Sequence, residues 1–433
     1  MRLLIRIYIQ VENLINNISV VTNEHLCISC GACIGVCPVG AVSFCRTEGM
    51  YEANVSAACI NCGRCISICP GKGLDLSEME NKYGCNASSN PLLGNCVLSV
   101  TTATKDPVII EKATSGGFVT TIVQHLLTES VYDGAFLVDT DDYSELVQTV
   151  HKRKGDSLLS TVRSRYVPIS HADTFKYIES HREERLIVIG TGCFVEAFIR
   201  FLKLYNLPRE QYLIIGLFCD RTLTYNVFSY FSKRFGNGSG LKGMNFRDKS
   251  VNGWPGGVKL YFFDGRQRSL SAKKRIFVKD YFTPERCIYC IDKLNIFADI
   301  SVGDNYTDQH QDKRGSSSAI IRSQNGLEAW LRSRDLFISY ESDLEQIAKA
   351  QKMENRKKNI LFQKMKQSGV LFNNVDLLEK DSFEKKDCHD YSKLLSRCEK
   401  GKRLRIGAIE LDVFLNRIKG LLLFIMGRIK LFL

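Results

Sequence analysis

Two cysteine runs carry the most specific chemical signal in this chain. Both have the spacing C-x2-C-x2-C-x3-C-P, and their cysteines are Cys27, Cys30, Cys33 and Cys37, then Cys59, Cys62, Cys65 and Cys69. Such runs bind 4Fe–4S clusters, and the last cysteine of each run is a ligand of the other cluster. The predicted ligand sets are Cys27, Cys30, Cys33 and Cys69 for the first cluster, and Cys59, Cys62, Cys65 and Cys37 for the second. A chain with two such clusters is expected to transfer electrons.

The segment over residues 22–80 resembles a two-cluster ferredoxin, an α+β domain. Zinc is the alternative ligand, because paired C-x2-C motifs also bind it. A structural zinc site needs four ligands and rarely uses a doubled run of eight cysteines that ends in proline. The iron–sulfur interpretation is therefore favoured. It implies a reducing compartment, in which these cysteines are not paired as disulfides.

The length of 433 residues is too great for a ferredoxin alone and predicts two or three domains. The formal net charge is +12, and residues 346–433 hold 20 Lys and Arg against 10 Asp and Glu. The basic charge lies mainly in this tail, and the body shows neither a basic patch nor a recognition motif, so we expect no nucleic-acid partner. The first ten residues lack the uninterrupted apolar core of a signal peptide. The expected location is the cytoplasm.

The end of the chain, residues 404–433, is basic and amphipathic and includes the apolar run 420–427. This run is far shorter than the ~20 residues that cross a bilayer. A basic amphipathic segment can instead lie in the membrane interface with its lysines toward anionic lipid, or it can cover another domain or subunit. Both remain open, and the first predicts peripheral contact with the inner face of the membrane.

Between the cysteine runs and the tail, short apolar β-type runs alternate with helical stretches. The predicted strands are 134–139, 186–190, 213–218, 258–263, 300–302 and 319–322, and the predicted helices are 118–130 and 193–205. Several of these strands are continuously apolar, which is typical of a sheet covered on both faces. The predicted organisation is an N-terminal lead (1–21), a ferredoxin-like domain (22–80), a linker (81–105), an α/β domain with a mixed sheet (106–340) and a basic helical tail (341–433).

Four further cysteines lie at positions that suit a third metal centre. Cys193 and Cys219 each follow a predicted strand, and Cys287 and Cys290 form a C-x2-C loop. The ends of parallel strands meet at one edge of a sheet, where binding sites form, so these four thiolates could hold one more cluster. The alternative is that Cys193 and Cys219 are small buried hydrophobic residues, as free cysteines often are.

The same region resembles the β subunit of the coenzyme F-420-reducing hydrogenase and its dehydrogenase relatives. The matching segments follow the family's order and are Thr114–Thr120, Arg163–Val167, Ile189–Cys193, Gly216–Cys219, Cys287–Asp292, Ala298–Asp304 and Gly315–Arg322. The resemblance implies that this domain binds FAD and a third 4Fe–4S cluster, the latter through Cys193, Cys219, Cys287 and Cys290. The family usually has proline before the cysteine of the 190–193 turn and glutamine after it, where this chain has Gly192 and Phe194. That departure affects the substrate side more than the cluster.

The residues expected to contact the flavin, given the resemblance, lie in four segments and are Ser115, Gly116, Gly117, Arg163, Arg165, Asp304, Ser316 and Ser317. The first three precede a predicted helix, whose free N–H groups and dipole favour a phosphate, although an ordinary helix N-cap explains them equally. For the two arginines the alternative is a solvated basic loop. His310, in a nearby polar loop, is the candidate proton donor, and the alternative for it is an ordinary surface histidine.

These features predict an iron–sulfur flavoprotein oxidoreductase that relays electrons between a one-electron donor and a two-electron substrate, since a flavin exchanges electrons singly or in pairs. The partner would be a redox protein or a small two-electron substrate, of which coenzyme F-420 is one option. The first alternative is a non-catalytic electron-transfer subunit of a larger redox complex. The second is a scaffold protein whose α/β domain has lost its flavin.

Overall fold

The two cysteine runs lie on a small N-terminal unit in the computed structural model, which describes residues 15–74, 92–139, 143–250, 252–353, 388–415 and 418. Its elements are α1 (Ser19–Thr22), α2 (Ala32–Gly35), β1 (Val42–Thr47), β2 (Met50–Val55) and α3 (Arg64–Ser67). The strands pair as an antiparallel hairpin. Ile18, Val36 and Ile68 of this unit share one hydrophobic core with Phe194 and Phe198 of the body. The unit is therefore packed directly on the body.

The body is built on an eight-stranded mixed sheet. The first seven strands of the body along the chain are β3 (Leu98–Thr104), β4 (Gly134–Leu137), β5 (Val147–Gln148), β6 (Val150–Lys152), β7 (Ile169–Ser170), β8 (Leu186–Thr191) and β9 (Tyr212–Leu217). Of these, β5 and β7 form a separate two-stranded pair, and the other five belong to the large sheet. Three further strands make a second sheet, β10 (Leu241–Asp248), β11 (Gly257–Phe262) and β12 (Gln267–Leu270). The large sheet is completed by β13 (Ile300–Asp304), β14 (Ser317–Ile321) and β15 (Phe337–Glu341).

The strand order of the large sheet is β15-β3-β14-β13-β9-β8-β4-β6. The four strands β13, β9, β8 and β4 run parallel to one another, and the flanking strands are antiparallel to their neighbours. The mixed sheet predicted from the sequence is thus confirmed. Because parallel strands end at the same edge, the segments that follow β8, β9 and β13 converge there.

Helices cover both faces of the sheet. They are α4 (Pro107–Lys112), α5 (Phe118–Thr128), α6 (Ala172–Ser180), α7 (Gly192–Leu204), α8 (Asn226–Phe235), α9 (Ala272–Lys279), α10 (Glu285–Ile288), α11 (Gln324–Ser333), α12 (Leu344–Ala350) and α13 (Cys388–Lys402). On β8, Val188 packs into the core under α7, and Ile187 packs into the core under α5 and α11. This alternation explains why the central strands are apolar at every position.

The strand β3 lies within the range 81–105, which was expected to be a linker. It pairs with β14 and β15 inside the large sheet. Its sequence, Leu-Ser-Val-Thr-Thr-Ala-Thr, is β-branched but only weakly apolar, and its partners lie more than 200 residues further along the chain. The sequence of β3 therefore has the propensity of a strand but lacks the continuous apolar pattern that indicates a central strand.

The second sheet and its helices form a separate layer beside the edge where the parallel strands end. β10, β11 and β12 pack with α8 and with Val278 of α9 around their own hydrophobic core. Ile409, in a helical segment over 406–415, is fully buried in that core. The described part of the tail is therefore helical, as expected, and part of it is anchored on the body.

None of the helices in the described ranges is both long enough and apolar enough to cross a membrane. The apolar run 420–427 lies outside the described residues.

Candidate redox site

The two cysteine loops of the N-terminal unit repeat the same backbone conformation. In the first loop Ser29 and Gly31 have positive φ angles of 58° and 74°, and in the second Asn61 and Gly63 have φ angles of 51° and 76°. Alternating left-handed residues turn successive N–H groups toward one side, a concave arrangement that holds anions and iron–sulfur clusters. The glycines are needed at this position because other residues adopt the conformation at a cost. This shape suits a tetrathiolate cluster in each loop.

The first predicted ligand set is brought together by the fold. Cys69, the last cysteine of the second run, lies close enough to Cys27, Cys30 and Cys33 for their charges to raise one another's pKa. Burial is the larger cause, and it raises the pKa of Cys69 to about 12. Bound iron deprotonates a thiol outright, so these buried thiols suit metal ligation better than free thiolate chemistry.

The second predicted set lies nearer to solvent. Cys62 and its neighbours Ile60 and Asn61 are exposed, and only Cys65 of this set is buried. The Cys65 pKa is raised by burial and, to a smaller extent, by Cys59. Cys37 accepts a hydrogen bond at its Sγ from the Ala41 N–H at 3.2 Å.

No three His, Cys, Asp or Glu side chains among the described residues approach closely enough to bind a single metal ion.

The third predicted set lies at the edge of the large sheet. Cys193 opens α7 just after β8, and Cys219 follows β9, with its N–H donating to the Lys293 carbonyl at 2.9 Å. Burial raises the pKa of Cys193 to about 12, and the nearby Cys287 and Cys290 thiols add to the shift. All four side chains line one cavity. The donor set therefore fits one more cluster, with two ligands from strand ends and two from the C-x2-C loop.

That cavity has a volume of about 830 Å³, within the range of ligand-binding pockets. It also contacts the N-terminal unit, because Cys30 lines its wall. The backbone N–H of His171 donates to the Cys30 carbonyl at 2.8 Å, and the His171 ring stacks on Phe194 with centroids 3.6 Å apart. Burial lowers the pKa of His171 to about 3, and the ring lies between the first and third predicted cysteine sets.

Two buried arginines fix the N-terminal unit against this wall. Arg200 of α7 donates to the Cys69 carbonyl at 2.7 Å and pairs with Glu196 at 2.5 Å. Arg286 donates to the Pro70 carbonyl at 3.1 Å, and Cys290 and Cys193 help to raise its pKa against the effect of burial. Cation charge thus lies beside thiols of both predicted sets, where it would offset the charge of an anionic cluster.

The predicted flavin contacts separate into two groups. The residues that line the cavity are Ser115, Gly117, Arg163, Arg165, Asp304 and Ser317. Gly116 and Ser316 lie behind them: the Gly116 N–H donates to Ser317 Oγ at 3.0 Å, and Ser316 Oγ donates to the His310 carbonyl at 3.0 Å. His310 itself is exposed, and its ring stacks on Tyr340 with centroids 3.9 Å apart. The fold therefore brings six of the predicted contacts together and places His310 elsewhere.

The Arg163 loop and the start of α5 face the same space. Thr114 Oγ1 accepts from the Ser164 N–H at 2.9 Å, which ties the two segments together. Arg163 has a φ of 123°, in a region that non-glycine residues rarely adopt. Strained backbone of this kind is frequent at ligand sites. These elements would suit the phosphate groups of a dinucleotide, with the N-terminus of the 11-residue α5 favouring negative charge.

Asp304, one of the predicted flavin contacts on the cavity wall, is bonded to other side chains of the protein. Its carboxylate accepts two hydrogen bonds from Arg247, at 2.8 and 3.0 Å, and one from Trp254 Nε1 at 2.9 Å. Arg247 holds the pKa of Asp304 below its usual value against the opposing effect of burial. The carboxylate is therefore occupied by protein donors, and it positions Arg247 on the cavity wall.

The two departures from the family pattern have a structural explanation. A side-chain carbon at Gly192 would lie 2.3 Å from Asp292 Oδ2, so the space that proline would need is filled by Asp292. Phe194 packs under Gly190 and against His171. The surroundings of Cys193 thus contain one acidic and one aromatic side chain, Asp292 and Phe194, where the family usually has a proline and a glutamine.

Several cavity residues were not anticipated from the sequence. They are mainly cationic or aromatic and include Tyr166, His171, Arg221, Arg247, Arg275, Lys279 and Arg286. Two of them had a local signal: Arg286 is next to Cys287, and Tyr166 lies in the matching segment Arg163–Val167. In all, nine Arg and Lys side chains and three aspartates of the described residues line the cavity.

Comparison with protein families gave three matches. The N-terminal model of the coenzyme F-420 hydrogenase/dehydrogenase beta subunit matches residues 99–176, and its C-terminal model matches residues 183–345. The model of a 4Fe–4S dicluster domain matches residues 19–70. The two beta-subunit ranges together span more than half of the 433 residues.

Two proteins of Methanocaldococcus jannaschii are similar in sequence. An uncharacterized protein is 24% identical over 368 residues, which are 78% of this chain and 96% of that protein. The coenzyme F-420-dependent sulfite reductase is 26% identical over 231 residues, which are 49% of this chain and 33% of that enzyme. Among solved structures, a chain of the F-420-reducing [NiFe] hydrogenase complex from Methanosarcina barkeri is 22% identical, with a TM-score of 0.48 over 65% of this chain and 97% of that chain.

Proposed function

We propose that this chain, which belongs to the coenzyme F-420 hydrogenase/dehydrogenase β-subunit family and carries a 4Fe–4S dicluster domain, relays electrons between a one-electron donor and a two-electron substrate. Bound clusters would pass single electrons, and a bound FAD would exchange electrons singly or in pairs. The cysteine sets and the cavity described above would hold these groups. The reaction class is oxidation–reduction, and coenzyme F-420 is the first substrate to test, because a similar enzyme carries it in its name.

The observation that best supports this proposal is that candidate ligands of two clusters and of the flavin line one cavity. Cys30 of the first set, all four cysteines of the third set, and Ser115 and Arg163 of the flavin candidates line the same cavity. One-electron and two-electron chemistry must meet within a short distance in such a protein. Candidate ligands from both domains on one cavity wall support such a meeting place.

The exposure of the cysteine sets supports an order for the relay. The second set, around exposed Cys62, faces solvent, while Cys30 and Cys33 of the first set are turned toward the body. A protein donor would therefore approach the second set. The first set would connect it to the cavity, where Arg163, Arg165 and the start of α5 would hold the flavin phosphates.

The experiment that tests the proposal is anaerobic purification followed by iron, sulfide and flavin analysis and an assay with coenzyme F-420. We expect about twelve irons, for three 4Fe–4S clusters, and one FAD per chain, with turnover of a soluble substrate by this chain alone. About eight irons and no flavin would contradict the proposal. Turnover only in the presence of another protein would instead identify an electron-transfer subunit.

Replacement of Cys287 and Cys290 by serine should remove about four irons and leave the other two clusters in place. The reason is that these thiols belong only to the third predicted set and to neither set of the N-terminal unit. The measurement is the iron content and the spectrum of the reduced protein. The matched control is Cys96→Ser with Cys398→Ser, which also removes two buried or half-buried thiols and should lose no iron. Unchanged iron in the first variant would refute the third site.

We also propose a cytoplasmic protein that contacts the membrane surface through its C-terminal segment. In the described part of that segment Leu411, Phe414, Leu415 and Ile418 are all exposed, at a spacing that puts them on one face of a helix. The opposite face is anchored, because Glu410 accepts from Tyr230 Oη at 2.5 Å and Ile409 is buried. An exposed apolar stripe with basic flanks suits an anionic lipid interface.

Replacing Leu411 and Phe414 by glutamate should abolish binding to vesicles that contain anionic phosphatidylglycerol, because it removes apolar contact and adds negative charge. Vesicle flotation measures the bound fraction. Phe263→Glu is the control, since Phe263 is 72% exposed but lies in the turn directly after β11 of the second sheet. If the double variant floats as well as the unchanged protein, this surface does not bind membranes.

A further inference from the structure

One wall of the cavity holds two cations, Arg275 and Lys279, and the described carboxylates whose charge reaches them, Asp304 and Asp220, are paired with other cations. Arg275 and Lys279 lie four residues apart on α9, so they share one face of that helix, and both line the cavity. Arg275 is only 8% exposed. Its Nε has no hydrogen-bond partner, and no described carboxylate lies within ion-pair distance of its guanidinium. Lys279 lies over the Tyr166 ring, 5.8 Å from its centroid.

The acidic residues nearby are already engaged by other cations. Asp304 is held by Arg247 at 2.8 Å. Arg221 pairs with Asp220 at 3.0 Å and with Asp280 at 3.1 Å. Asp280 also pairs with Arg397 of α13 at 2.7 Å. The wall therefore keeps an excess of two positive charges at Arg275 and Lys279.

Such an arrangement is costly without a ligand. A buried cation loses its hydration and needs an opposite charge or hydrogen-bond acceptors in exchange. Burial lowers the pKa of Lys279 to about 8, and burial together with the charge of Arg247 lowers the pKa of Arg275. An anion placed between the two side chains would raise both pKa values again, because it favours the charged forms of Arg275 and Lys279.

We propose that Arg275 and Lys279, with Arg247 beside them, bind an anionic group of the two-electron substrate, a phosphate or a carboxylate. A guanidinium forms two parallel hydrogen bonds to such a group, and an ammonium adds a third. This inference rests on the proposed function, in which the cavity receives that substrate.

The residues of this subsite come from other structural elements than the predicted flavin contacts. The flavin candidates Ser115 and Arg163 come from the start of α5 and the loop before β7. Arg275 and Lys279 come from α9, which packs on the second sheet. Two anionic groups can thus be held by different layers of the protein, the flavin phosphates by one and the substrate by the other. The substrate class that follows is an acidic two-electron carrier or acid, rather than a neutral or cationic molecule.

The test is isothermal titration of the anaerobically purified protein with inorganic phosphate, and the variant is Arg275→Met with Lys279→Met. Phosphate should bind the variant at least about tenfold more weakly, because two charge-assisted contacts are lost. The control, Lys273→Met with Lys274→Met, removes the same charge from exposed positions of the same helix and should bind as before. Arg275→Lys should keep much of the affinity.

Two further readouts distinguish a substrate subsite from a structural role of the two cations and from a flavin contact. The unliganded double methionine variant should melt at a higher temperature than the unchanged protein, because buried uncompensated charge has been removed. Its FAD content should be unchanged. Equal phosphate affinity in both double variants, or no phosphate binding by the unchanged protein, would overturn the subsite. Loss of FAD from the Arg275 and Lys279 variant would overturn it as well, by showing that these cations hold the flavin. None of these readouts depends on turnover, so a failure of the proposed function would be seen separately.

Discussion

Electron exchange between the cavity and the second cysteine set should fall by more than about 100-fold when Cys30 is replaced by serine, whereas exchange between the cavity and the first set should be unchanged when Cys62 is replaced. Changing a residue that merely touches a metal ligand usually costs 10–100-fold, so the loss of a ligand on the connecting path should cost more. Cys30 and Cys62 are equivalent positions, each the second cysteine of its run and each followed by a left-handed glycine. The pair is therefore a matched comparison.

The difference between them lies in what surrounds each loop. Cys30 lines the cavity, its carbonyl accepts from His171, and its thiol lies near Cys193. Cys62 is exposed. Loss of the first cluster removes the connection between the two domains, whereas loss of the second removes only the site nearest to solvent. Both variants should lose about four irons, so iron content alone would not separate them.

The measurement is photoreduction of the flavin in the anaerobic protein, followed by the rate at which the remaining clusters become reduced, observed by low-temperature paramagnetic resonance. In Cys62→Ser the first set should be reduced as fast as in the unchanged protein. In Cys30→Ser the second set should be present but reduced very slowly. Equal rates in the two variants would show that the first set does not lie on the path.

The position of the third cysteine set could be predicted because it depends on local sequence and one rule of sheet geometry. Cys193 and Cys219 follow apolar runs that could only be buried strands, and parallel strands end at a common edge. Ser317 and Ser316 show the limit of the same reasoning. Ser317 is the first residue of β14 and Ser316 directly precedes it, and the sequence could not tell which serine faced the cavity.

The cationic wall could not have been predicted, because it depends on contacts between distant segments. Arg275 and Lys279 follow Lys273 and Lys274 in a basic stretch that has the composition of a solvated helix face. Only the packing of α9 beside the sheet edge turns two of the four inward. His310 lies near the flavin candidates in sequence, but its ring stacks on Tyr340 at the surface, and its role as a proton donor stays a prediction. Proximity in sequence is a poor guide where loops join sheet edges.

Substitution of Asp304 by asparagine should lower the free energy of unfolding by about 3–5 kcal/mol, the usual cost of leaving one partner of a buried ion pair uncompensated. The Arg247 side chain is 2% exposed, and its hydrogen bonds to Asp304 are bidentate. Asparagine keeps the shape and can still accept from Trp254, so the lost charge is the main change. The matched control is Asp312→Asn, which breaks the exposed pair with Arg314. It should change stability far less, because solvent screens that pair.

The pH dependence gives this prediction an independent check. The pKa of Asp304 is lowered in the folded protein, so its stabilising effect is fully present above the unfolded value of about 3.9 and is lost as the pH falls through the folded value. The difference between the unchanged protein and Asp304→Asn, measured by urea unfolding, should therefore be constant near neutral pH and should shrink below about pH 4. A small difference at neutral pH would mean that the carboxylate is not needed to balance Arg247. Asp304 would then be available to a ligand, as its prediction as a flavin contact requires.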